Sequence, residues 1–218
     1  MSVDTKRRLS QAAARQFLTR GYAGTSLSSI AEQLGLTKGA FAFHFRTKAD
    51  FAEHFREITN SGAAQAEAYS EEAYPDQGVQ RLVLFFLVLS SWQLTEPRFA
   101  AGLALFTDKA APNYQDPELM GRWSRLAERA FVVADQQGIR DPHVTPVEAA
   151  NFFLAATLGA ATHRYGPTYP AEPHPTSDLP FAQQALVGCG VRNAHDLAAE
   201  VLERHATSLP ALHCPGES

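Results

Sequence analysis

The stretch "GTSLSSIAEQLGLTKGAFAFHF", Gly24 to Phe45, decides how the rest of the chain is read. Leu27, Ile30, Ala31 and Leu34 recur at i, i+3, i+4 and i+7, which places four apolar side chains on one helix face. Ser26 stands where an N-cap belongs, and Gly35 ends the pattern with a residue that accepts a left-handed backbone. After Gly35-Leu36, Thr37 caps a further short helix running to Phe45. That helix carries phenylalanine at alternate positions, and one face does not bury them all. Phe41 and Phe45 are four apart and share a face with Leu36, directed at Leu27, Leu34 and Phe17. Phe43 lies about 200° around from Phe41 at ~100° per residue, so it points outward, near Gly39, Lys38 and Ala42. It either covers another part of the same chain or is kept for a partner. Two short helices joined by a tight Gly-containing turn, packed on an earlier helix, make a helix-turn-helix.

Asp4 to Arg20 predicts that earlier helix, with Leu9, Ala13 and Phe17 on one stripe and a stop at Gly21. Thr47 with Asp50 forms a capping-box-like start for a fourth helix carrying Phe51, Phe55 and Ile58. Further helices are expected at 78–94, 97–107, 117–137, 146–165, 179–190 and 194–208. Pro97, Pro117, Pro146 and Pro180 sit near their starts, where a missing N–H does no harm. The five-proline stretch 166–180 predicts an extended loop. The fold class expected is all-α: an N-terminal three-helix helix-turn-helix domain, the kind of unit that binds DNA, joined to a larger helical domain. The boundary falls in or just after the fourth helix, giving 1–54, 55–210 and a tail at 211–218.

With 45% hydrophobic residues, 218 residues bury a sizeable core in one or two domains. The net charge of −4 is unevenly spread. Residues 1–56 carry nine Lys and Arg against four acids, +5, and the remainder carries −9. A basic head on an acidic body points to a polyanionic partner for the head alone, and charge by itself leaves an idle uneven surface equally open. Cys189 and Cys214 make no disulfide framework and suit a reducing cytoplasm. No apolar signal core follows "MSVDTKRRLS". The run "LVLFFLVL", 82–89, has eight residues against the roughly 20 needed to span a bilayer, so it reads as a buried helix. A cytoplasmic protein with no membrane partner is expected.

If the helix 37–45 enters a major groove, its N-terminal residues face base edges and its flank faces phosphates. Gly39 then lets the backbone approach closely, and Lys38 brings charge and a guanine contact. Phe43 packs on deoxyribose, and His44 donates to a phosphate. Residues 17–51, "FLTRGYAGTSLSSIAEQLGLTKGAFAFHFRTKADF", resemble the DNA-binding domain of the TetR family of transcriptional regulators. The resemblance is long and ungapped. It covers Gly-Tyr-x-Gly-Thr-Ser, Ile-Ala-x-x-Leu-Gly, Thr-Lys-Gly-Ala and Phe-His-Phe-x-x-Lys. It implies DNA contact at Thr25, Ser26, Thr37, Lys38, Gly39, Phe43, His44 and Lys48. Ala42 departs from the usual tyrosine, removing one neutral phosphate contact.

The resemblance also implies an effector pocket and a dimer interface in the second domain, which is rich in aromatics. For any one of them, core packing is the plainer reading. Trp123 follows the polar loop "NYQDPELMGR", and its indole N–H needs a partner if buried. "TKGAFAFHF", "TEPRFAAGLALFTDKA" and a tryptophan near the start of the next long helix resemble, more loosely, the γ-butyrolactone autoregulator receptors of actinobacteria. That resemblance implies a pocket lined by Trp123; Trp123 as a packing residue stays equally open. Phe85, Leu89, Trp92, Phe99, Phe106 and Phe152 complete the expected lining. The alanine-rich helix at 146–165 and the segment 179–208 are the expected dimer surface.

No catalytic constellation stands out. The histidines at 44, 54, 143, 163, 174, 195, 205 and 213 form no His-Glu-x-x-His pattern and have no Cys-x-x-Cys partner. Gly188-Cys189-Gly190 follows no strand, and no Gly-rich phosphate loop is present. No metal and no cofactor are expected. The expectation is a homodimeric repressor on a pseudo-palindromic double-stranded operator, released by a small hydrophobic effector such as a γ-butyrolactone. A regulator of this type that answers another metabolite or drug stays open. So does a hydrophobic-ligand binding protein with a degenerate head.

Overall fold

The computed structural model describes residues 3–35, 42–141, 143–163, 179–205 and 207–215. Among them it is all-α. The named helices are α1 (Val3–Gly24), α2 (Leu27–Gln33), α3 (Lys48–Ala73), α4 (Gly78–Thr95), α5 (Pro97–Thr107), α6 (Pro117–Gln136), α7 (Pro146–His163), α8 (Leu179–Gly188) and α9 (Ala194–His205). The expected helix 37–45 lies outside the described residues up to Phe41, as does the expected loop 166–180 up to Asp178.

The chain divides into two compact units. One, the head, holds Met1–Ala63, Thr95–Asp116 and Leu212–Ser218; the other, the body, holds Ala64–Leu94 and Pro117–Ala211. Helix α3 therefore gives its first part to the head and its last turns to the body.

In the head, α1 packs along α5 and against α2. Leu9, Phe17, Ile30, Phe51, Phe55, Ile58 and Phe99 are buried. Phe17 is the hub of the rings, 5.8 Å from Phe55, 6.3 Å from Phe51 and 5.9 Å from Tyr22. Gly102 is required where α5 meets α3. A Cβ there would overlap the Thr59 side chain and stand 2.7 Å from the Phe55 carbonyl oxygen. Glu96 caps α5 by accepting from the Arg98 amide at 3.1 Å, ahead of Pro97 at the first helical position.

The body is organised by α4, whose buried residues run from Gly78 to Gln93. It is the one described helix long and apolar enough to cross a membrane, and 67% of it is buried inside the structure. Its first residue lies against α6, where a Cβ on Gly78 would stand 2.6 Å from the Ala130 carbonyl. Helix α7 packs on α6 and α8, and α8 on α9. Arg140, 2% exposed, ties the loops together. It donates to both Asp135 carboxylate oxygens (2.6 and 2.7 Å), to Val144 O (3.0 Å) and to Cys189 O (3.3 Å). That hydrogen bonding raises the Arg140 pKa and holds the Asp135 carboxyl below the usual carboxylate range. Burial pushes the Cys189 thiol up to about 11, and its Sγ donates to Ala149 O.

The proline-marked starts of α5, α6 and α7 fall where the sequence places them; the ends are less regular. Helix α1 runs on to Gly24 through a break at Gly21, whose φ of 67° needs glycine. Helix α8 ends at Gly188, before Gly190 turns the chain with φ 81°.

Candidate functional site

Two ties fix the second helix of the head. At the Gly21 break the freed Tyr22 N–H donates to Asp108 Oδ2 at 2.7 Å, and Thr25 Oγ1 donates to Gly21 O at 2.8 Å. Thr25 is consequently buried, with 4% exposure, so its hydroxyl is spent inside the head. Ser26 has the extended backbone of an N-cap (φ −121°, ψ 128°) and its carbonyl accepts from the Ile30 amide. Its hydroxyl makes no cap bond and lies 2.7 Å from that of Ser28, on the exposed surface.

Beyond the undescribed residues 36–41, which include Thr37, Lys38 and Gly39, the chain resumes at Ala42. Phe43 is 77% exposed, its ring edge-on to His44 at 5.1 Å. The His44 Nε2 is buried without a hydrogen-bond partner among the described residues. Phe45 is buried and stacks on Phe51 at 3.9 Å and 20°. The sequence directs Phe45 at Phe17, Leu27 and Leu34; the structure adds Phe51 of α3, which stacks on Phe45 and lies 6.3 Å from Phe17.

The reciprocal Thr47–Asp50 box starts α3. The Thr47 hydroxyl donates to Asp50 Oδ1 at 2.7 Å and accepts from the Asp50 amide at 3.1 Å. Asp50 Oδ2 also accepts from the Arg46 and Thr47 amides. The Thr47 hydroxyl and then the Arg46 amide hold the Asp50 carboxyl below its ordinary range. Lys48 Nζ donates to Tyr22 O (2.9 Å) and Ala23 O (3.3 Å) and sits 4.9 Å over the Tyr22 ring. The ammonium is thereby parked against the carbonyl end of α1, beside the start of α2.

The residues expected to line a ligand pocket separate into groups. Trp123, 1% exposed, and Phe85 are close neighbours in the body, with ring centroids 6.4 Å apart. Leu89 and Trp92 are buried on the same helix as Phe85, and Trp92 Nε1 donates to Pro210 O at 2.7 Å. Phe99 and Phe106 are buried in the head unit, because α5 belongs there. Phe152 is 53% exposed on α7, with its ring over Gly188, where a Cβ would come within 2.8 Å of it. The true ring neighbours of Trp123 include Phe86 at 6.3 Å. Phe86 in turn lies 5.3 Å from Phe153, and Phe153 lies 6.1 Å from Phe131. The sequence marked the body's aromatics only as core, since residue type does not distinguish rings that face a cavity from rings that face each other.

A separate open groove of about 560 Å³ runs beside α6, bordered by Glu71, Arg81, Arg125, Leu126, Arg129 and Val133. None of the expected pocket residues is among its described lining. Among the described residues no group of three His, Cys, Asp or Glu side chains is placed to hold a metal ion.

Among the described residues these features define an all-α protein with a compact head and a helical body. Residues 9–55 match the family described as bacterial regulatory proteins, tetR family. The HTH-type transcriptional regulator TtgR of Pseudomonas putida is 33% identical over 84 residues, 37% of this chain and 40% of the relative. The chain thus spans well under half the length of that curated relative. A crystallised γ-butyrolactone receptor (ArpA-like protein) has a TM-score of 0.73 at 22% identity, covering 92% of this chain and 98% of its own. The TetR family protein CprB from S. coelicolor A3(2) has a TM-score of 0.68 at 22% identity, covering 91% and 97%. At these identities the likeness is one of fold.

Proposed function

We propose that the protein is a homodimeric, ligand-responsive transcriptional regulator that represses by occupying a two-half-site operator and leaves it on binding a small hydrophobic effector. The observation that carries this reading is the 77% exposed Phe43 within the tetR-type segment, flanked by His44 and followed by the buried stack of Phe45 on Phe51. The head keeps one ring outside while burying its neighbour, as a surface for sugar and phosphate requires.

On this reading Phe43 packs against deoxyribose, and Lys38 and Gly39 meet the bases and backbone. The amides at the start of α2, near Ser26 and the buried Thr25, receive a phosphate. His44 turns its Nε2 to a phosphate, and Lys48 exchanges its carbonyl partners for one. Phe152, Phe181, Val147 and Val187 leave apolar surface on α7 and α8, which supports burial against a second copy and hence two heads for two successive major grooves. The effector site is assigned to the aromatic cluster around Trp123 and Phe85, and the γ-butyrolactones are its leading candidate class, supported by the fold likeness to the receptor described above. Release follows only if the effector binds the DNA-incompetent conformation better, by several kcal/mol for a near-complete switch.

The test is fluorescence anisotropy on the DNA upstream of the protein's own gene, across a salt series, with and without a γ-butyrolactone. Tight, salt-sensitive binding released by the lactone is expected. Binding that ignores the lactone removes that effector class, and failure to select any operator from random-sequence DNA removes the regulator. Trp123→Ala is expected to keep DNA binding and lose release; a mutant released normally retires the pocket.

A further inference from the structure

In the sequence, residues 211–218 read as a tail, yet the described part is built into the packing. In the body, Tyr69 Oη donates to Ser208 O at 3.3 Å and the buried Trp92 indole donates to Pro210 O at 2.7 Å. Shortly after, in the head, Leu212 lies against α3 at Gly62. A Cβ on that glycine would stand 3.1 Å from Leu212 Cδ1 and 2.7 Å from the Phe99 ring. The missing side chain leaves the notch in which Leu212 and Phe99 both meet the helix. Arg98, 2% exposed and bonded to both Glu96 carboxylate oxygens at 2.9 Å, also donates from Nη2 to Cys214 Sγ at 3.3 Å. Arg98 and Phe99 open α5, α5 packs along α1, and Asp108 just beyond its other end holds the Tyr22 amide at the Gly21 break.

A terminal segment without such ties frays. This one draws a buried indole N–H, a buried guanidinium and a glycine notch. We propose that residues 212–215 are a strap within the head, whose seating at Leu212 against Gly62 and Cys214 against Arg98 sets how firmly α5 holds α1 and α2, and so the affinity of the head for DNA. The second half of this inference rests on the DNA-binding reading above; the first half does not.

The test compares the full chain with a chain ending at Ala211 and with full-length Leu212→Ala. Hydrogen exchange by mass spectrometry is measured on all three, and anisotropy on an operator selected from random-sequence DNA. Both variants are expected to exchange faster over α5 and over residues 9–24, with α6 and α7 unchanged, and to bind operator about tenfold more weakly. Unchanged exchange in α5 and α1 overturns the strap. Faster exchange with undiminished affinity overturns its coupling to DNA. If the full chain binds no DNA at all, the regulator reading fails by itself and the exchange data still decide the strap. Should the shortened chain not fold, Leu212→Ala carries the comparison.

Discussion

The head and the body spend phenylalanine in opposite ways. In the head the rings follow one another from Phe45 to Phe51 to Phe17 and Phe55, and the neighbouring Phe43 is left in water at 77% exposure. In the body, Phe85, Phe86, Trp123, Phe131 and Phe153 close on one another, and large exposed apolar residues gather instead along α7 and α8. The proposed function gives the single exposed ring beside His44 to the sugar face of a nucleic acid, and the exposed Val147, Phe152, Phe181 and Val187 to a second copy of the chain. The contrast teaches that aromatic content alone does not say which partner a surface serves. What decides is whether the exposed ring stands alone.

The largest effect that sharpens this contrast is expected from Phe153→Ala, which empties the centre of the body cluster. A cost of about 3–5 kcal/mol should appear as a large fall in Tm by calorimetry, with operator affinity per folded molecule unchanged. A parallel loss of affinity would break the separation between the two regions. Next comes Gly102→Ala in the head, where a methyl group has no room beside Thr59 and Phe55. About 2 kcal/mol of destabilisation is expected, this time together with weaker DNA binding in the anisotropy assay.

Asp50→Ala removes one side of the α3 capping box and should cost about 1 kcal/mol in denaturant unfolding at neutral pH. Because the folded carboxyl titrates below its ordinary value of 3.8, its contribution is complete above that value and disappears as pH falls through the lower, folded one. The difference between wild type and mutant should therefore shrink only in acid; a gap that persists there would assign the effect to something other than the carboxylate. Phe43→Ala should be the mildest for the fold, within about 0.5 kcal/mol, while weakening operator binding. A Phe43→Ala protein that unfolds readily would place that ring in the core after all.

Much of this architecture was legible in the chain. The starts of α5, α6 and α7 coincide with Pro97, Pro117 and Pro146, because a residue without an N–H is tolerated in the first turn and few other signals are so local. The outward direction expected of Phe43 and the Thr47–Asp50 box follow from spacing alone. The bond from Tyr22 to Asp108 does not, since its partners lie 86 residues apart and neither carries a local mark of the other. The same holds for α5, whose Phe99 and Phe106 read as body aromatics although they are buried in the head. Sequence order assigns a helix to its neighbours in the chain, and packing is free to assign it elsewhere.

That freedom has a consequence for how the molecule is made. A ribosome delivers α1 and α2 first, yet the unit they belong to still lacks α5 and residues 212–215. The body, Ala64–Leu94 with Pro117–Ala211, is fully synthesised before the last piece of the head emerges. Closing the head thus involves contacts of very high sequence separation, the slow kind in folding, such as Leu212 with Gly62. The unit that contains the first helices also contains residues 212–215, so its packing waits on residues made long after α1 and α2.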